Sequence, residues 1–166
     1  TRTLELTLPE ALGEQVRFDV VSIAQVPGFS DPQVPAAVTI SEQTADVAED
    51  NDRTFSLTFD KRVTGAITLK TRIQRPRDDG RELTVPFVRV KNAVRQHGLL
   101  VFEALPEQRL FQADGNAAIS GLTVADAGLV EPPPESSGRR VALVYRYIQP
   151  EYSLNLEEAR FETQTV

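Results

Sequence analysis

The chain has 166 residues, enough to bury roughly 70% of its unfolded surface in one sizeable domain or two small ones. Its hydrophobic fraction of 40% marks a folded globular chain, and its net charge of −6 argues against a general nucleic-acid binder. It has no Cys, which excludes a disulfide framework, a thiol nucleophile and a thiolate metal site, and it has no apolar run of about 18 residues that would cross a membrane as a helix.

Period-two alternation runs through the chain. Leu4, Leu6 and Leu8 fall on one face of a first strand that Pro9 ends. Val16, Phe18 and Val20 keep one phase, then Val21 and Ile23 take the other, the mark of a β-bulge or of a strand covered on both sides. A loop follows at 28–32, and Glu42 to Asp50 has room for a helical turn or two without a sustained helical stripe. Phe55, Leu57 and Phe59 form the next half-buried strand, Ile67, Leu69 and Ile73 another, and 60–65 is the turn expected to join them as a hairpin.

Beyond a turn at 76–80, Leu83 and Val85 give way to Val88 and Val90 across Pro86, which puts that strand at an edge or bends it. The apolar runs Leu99 to Phe102 and Val141 to Ile148 suit central strands of a sandwich. Between them lie a turn at 114–116, a second short helical stretch from Gly121 to Leu129 and the Pro-rich loop 132–138. Tyr152, Leu154 and Leu156 open the last strand. These elements predict an all-β fold, a sandwich or open barrel of about nine to eleven mostly antiparallel strands. Residues 1–166 read as a single domain, with subdivision near 51 or at 132–138 as the alternatives.

Charge is unevenly spread: residues 1–60 carry a net −8, residues 61–95 a net +7 and residues 96–166 a net −5. Either basic strands pair beside acidic ones or the basic segment offers a face to an anionic polymer. Phe87 is the only aromatic residue in 61–95, which speaks against a stacking nucleic-acid surface.

Chemistry-bearing patterns are sparse. His97 is the only histidine, no Gly-x-Ser-x-Gly elbow and no phosphate-binding glycine loop occurs, and no enzyme activity is expected. Glu103 interrupts an apolar run and reads as an outward or arginine-paired residue, while Glu157 and Glu158 read as strand decoration. Glu49, Asp50 and Asp52 form an oxygen-rich loop without the full calcium-loop spacing; they are candidate calcium ligands or a solvated loop that ends a strand. No other cofactor is expected. Tyr145, Tyr147 and Tyr152 lie close in sequence and form either a sugar-stacking platform or core packing with hydroxyls at the rim.

Val38 to Glu42, Thr54 to Phe59 and Gly65 to Leu69 together resemble the Calx-β and immunoglobulin-like β-sandwich modules of bacterial surface proteins, over about 35 residues. The resemblance implies a spacer or adhesion role and would align Glu42 and Glu49 with acidic calcium positions. The chain begins at Thr1 and contains no Met, so it is expected to be processed or cut from a larger protein. The expectation is a non-catalytic structural or interaction module of a bacterial envelope or secreted protein, in the periplasm or at the cell surface. Its expected partners are neighbouring modules of the same chain or another envelope protein, with no nucleic acid and no membrane contact indicated. The alternatives are an accessory carbohydrate-binding module and an envelope domain that contacts lipid.

Overall fold

The computed structural model describes residues 2–13, 16–24, 38–47, 51–63, 65–73, 82–113, 119–130, 138–149 and 151–161. The loops expected at 28–32, 76–80 and 114–116, and most of 132–138, lie outside them. The described residues are all-β: antiparallel sheets, no closed barrel, and two short 3-10 turns at Glu10–Leu12 and Ala127–Leu129. They hold 13 strands, more than the nine to eleven expected, because four of the strands are two or three residues long, too short for alternation to be read. No helix among them is long and apolar enough to cross a membrane.

The chain gathers into two compact units, Thr1–Arg75 with Val88–Ala93, and Pro76–Phe87 with Val94–Val166.

The first unit contains β1 (Thr3–Pro9), β2 (Phe18–Ala24), β3 (Ile40–Val47), β4 (Asp52–Phe59), β5 (Ala66–Thr71) and the short β7 (Arg89–Val90). One sheet runs β3-β4-β1-β7 and a second consists of β2 and β5. Leu6 stands opposite Phe55 and Leu4 opposite Leu57, so the alternating leucines and phenylalanines of two strands share one face. Leu6, Leu8, Phe55, Leu57 and Phe59 are buried there with Val16, Phe18 and Val63, and Phe18 meets Phe55 edge-on at 5.8 Å between ring centroids.

The hairpin expected across 60–65 does not form. β4 pairs with β1 and β3, while β5 pairs with β2, so the connection carries the chain from one sheet to the other. Val63 explains the difference, since it is buried in the core instead of standing out at a hairpin tip. The segment from Glu42 is strand, not helix, through β3. The phase change at Val21 is a bulge: the β2–β5 register shifts between Val20 and Ser22, leaving Val21 largely exposed.

Charge complementarity within this unit follows the sequence pattern. Asp19 stands opposite Lys70 across β2 and β5, and Lys91 lies 3.9 Å from Glu5. Arg53 extends the buried face of β4 beyond Phe55 and pairs with Glu10 at 3.5 Å. Gln43 of β3 accepts from the Phe18 N–H at 3.2 Å and donates to the Val16 carbonyl, standing in for a missing strand along the start of β2. Asp60 accepts from the Thr39 N–H at 3.0 Å, and this bond holds its carboxyl below the ordinary value.

The second unit contains β6 (Leu83–Thr84), β8 (Gly98–Ala104), β9 (Gln108–Gln112), β10 (Ile119–Ser120), β11 (Leu122–Val124), β12 (Arg140–Tyr147) and β13 (Ser153–Arg160). One sheet runs β11-β12-β8, and in the other β13 pairs with β6, β9 and β10. Val85, Tyr145, Leu154 and Leu156 are buried between them, with Leu100, Phe102 and Leu143 packed alongside. Of the two long apolar runs, β12 is a central strand, whereas among the described residues β8 pairs on one side only.

Candidate functional site

The densest grouping of chemically versatile side chains lies in the second unit, where β12 ends and β13 begins. Residues two apart on a strand share a face, so Tyr145 and Tyr147 both turn inward from β12. Their surroundings differ. Tyr145 is only 3% exposed and meets Phe102 edge-on at 6.2 Å. Tyr147 sits at the rim, half-buried, beside Tyr152 at 5.1 Å between centroids, and Tyr152 meets Phe87 at 5.2 Å with the rings perpendicular.

Gly98 seats this cluster. It stands opposite Tyr147 across β8 and β12, and a Cβ there would lie 2.7 Å from the Tyr147 hydroxyl and 2.9 Å from its ring carbons. The tyrosine lies over the bare backbone, an arrangement that gives a strand glycine the packing it lacks. Gly121 closes the other side: its φ is +68°, and a Cβ would lie 2.3 Å from the Glu151 carbonyl oxygen, so only glycine lets these backbones approach.

The hydroxyls follow from this packing. Tyr152 donates to the Pro86 carbonyl at 2.8 Å. Its pKa is pushed up to about 12, first by burial and then by the neighbouring Tyr147 phenol. Burial alone pushes Tyr145 upward. Both phenols are neutral near pH 7, and each ring leans on another ring or on backbone. Of the three tyrosines proposed for a sugar platform, the structure joins Tyr147 and Tyr152 and sends Tyr145 into the core. Phe87, which the sequence left unassigned, completes the group. No local sequence signal marks Phe87 for this group, because its contact is with Tyr152, far along the chain.

The acidic loop is only partly placed. Glu49 and Asp50 lie outside the described residues. Asp52 opens β4 opposite Pro9, and Glu42 is exposed on β3 opposite Thr58. Among the described residues no group of three or more His, Asp or Glu side chains is arranged to hold a metal ion. His97 is exposed just ahead of β8. Glu158 accepts from Gln108 at 3.0 Å and pairs with Arg160 at 2.7 Å, so it links β9 and β13. Ser120 and Ser153 share a hydrogen bond of 2.9 Å between hydroxyls on paired strands.

The remaining distinctive surface belongs to β8. Leu100 and Phe102 turn to the core, while Leu99 and Val101 on the opposite face are 50% and 36% exposed. Glu103 shares that outer face, and the exposed Arg146 stands beside Leu99 on β12.

The chain matches no known family model, no curated protein and no solved structure. The resemblance to Calx-β and immunoglobulin-like modules is therefore a likeness of strand pattern alone.

Proposed function

We propose that this chain is a non-catalytic structural and interaction module of a larger envelope or secreted protein, and that it meets its partner along β8. The observation that carries this reading is the outer row of β8, where apolar side chains stand exposed on a strand paired on one side only among the described residues. Sheet ends of this kind bind by adding a strand. The tyrosine cluster supports the same reading: its rings pack on each other and on Gly98, and the Tyr152 hydroxyl is taken up by Pro86, so it serves as framework for the β8–β12 pair. The envelope or secreted setting rests on the cysteine-free composition and the strand pattern.

Hydrogen exchange tests the reading. At a dilution where the isolated chain is monomeric, the amides of Leu99 and Val101 are expected to exchange freely, and to be protected in the intact parent protein. Equal exchange in the two would overturn it.

A further inference from the structure

We infer that the partner of β8 is a second copy of the same strand, so that two chains join edge to edge into one continuous six-stranded sheet, β11-β12-β8-β8-β12-β11. The inference rests on the interaction reading above and adds the identity of the partner.

Backbone geometry gives the first argument. The Ala125 N–H donates to the Val144 carbonyl at 2.9 Å, so the peptide groups of Val144 turn toward β11. Val144 is paired with Val101 on its other side. In an antiparallel ladder hydrogen-bonded and non-bonded pairs alternate, so the N–H and C=O of Val101, and with them those of Leu99, face away from β12. These groups meet no partner among the described residues. The strand also lacks the usual guards of a sheet end: Gly98–Ala104 contains no proline, no lysine and one charge, Glu103.

Self-complementarity gives the second. A two-fold axis through Val101 sets Val101 against Val101 of the other copy and Leu99 against its Glu103. This antiparallel register exchanges the outward hydrogen bonds at the centre and keeps both outer faces on one side of the joined sheet. Each Glu103 then lies two strands from Arg146 of the other copy, a separation of about 10 Å between backbones that the two extended side chains span across Leu99. The pairing is opposite in charge and occurs twice by symmetry. The register that sets Glu103 against Glu103 is penalised by repulsion.

The chain has no cysteine, so single-cysteine variants report the register directly. Val101→Cys is expected to give a covalent dimer with a short thiol-specific cross-linker, several-fold more than Val124→Cys, whose residue is 73% exposed on the far strand β11. In sedimentation equilibrium the unmodified chain is expected to approach twice its monomer mass as concentration rises. Val101→Lys should weaken that association at least tenfold, and Val124→Lys should leave it unchanged. Near-UV circular dichroism verifies folding, and Leu99→Lys replaces Val101→Lys if the latter misfolds. A chain that stays monomeric to about millimolar overturns the inference, as does a dimer indifferent to lysine on β8 or one that cross-links equally well in the Val124→Cys variant. A monomeric chain whose β8 amides are nonetheless protected in the parent protein would remove the homotypic partner and leave the interaction reading standing.

Discussion

Replacing Gly121 with alanine tests the packing that holds the tyrosine cluster. The backbone at Gly121 has φ +68°, a left-handed conformation that costs an alanine about 1–2 kcal/mol. The new Cβ would also stand 2.3 Å from the Glu151 carbonyl oxygen and 3.2 Å from the Tyr152 Cα. The first contact is well inside ordinary carbon–oxygen separation and its partner is backbone, so β13 must shift at its start, at a further cost of about 1–3 kcal/mol. Reduced freedom of the unfolded chain offsets about 0.4–1 kcal/mol. The net loss is about 1–5 kcal/mol, a large part of the stability of an ordinary domain. The control is Gly138→Ala, which has a similar φ of +77° but nothing within 4 Å of the added Cβ, so it bears the backbone cost alone. Urea unfolding followed by tyrosine fluorescence compares the two variants. Gly121→Ala should lose about 1–3 kcal/mol more than Gly138→Ala. Equal losses would refute the close approach of Gly121 to Glu151, and with it the placement of Tyr152.

Two further predictions address the first unit and the phenols. Gln43→Ala removes both side-chain bonds to Val16 and Phe18 and leaves two partly buried backbone groups unpaired, so denaturant unfolding should show a loss of about 1–3 kcal/mol; an unchanged midpoint would mean that the bridge contributes nothing. Tyr152 retains its proton in the folded state to about pH 12, whereas an unfolded tyrosine releases it near pH 10, so the stability it contributes is fully present below about pH 10 and is lost as pH rises toward 12. In absorbance titration at about 295 nm a tyrosine step should be delayed past pH 10. Tyr152→Phe should remove the step near pH 12, while the raised Tyr145 phenol still titrates late.

The all-β class and several strand faces were legible because side-chain alternation is a local property. Leu4, Leu6 and Leu8, and Phe55, Leu57 and Phe59, lie on the buried faces that their spacing assigns. The bulge at Val21 was legible for the same reason, as a break in phase. Arg53 was equally available, since it continues the Phe55 phase, yet a charged side chain does not announce burial unless its partner Glu10 is known to be near. Tyr145 and Tyr147 present the same two-residue spacing, and only the seat at Gly98 separates a core ring from a rim ring.

The sequence by itself determined which residues form strands and which side of each strand is apolar, because both depend on neighbours one or two positions away. Only the tertiary structure decided which strands pair. The turn at 60–65 looks like a hairpin until Val63 is seen buried in the core with β5 paired to β2. The run Leu99 to Phe102 looks like a central strand, yet among the described residues β8 pairs only with β12 and leaves Leu99 and Val101 exposed. Strand pairing is set by hydrogen bonds and packing between segments far apart in the chain, so an apolar run has the same local pattern whether one neighbour or two lie beside it.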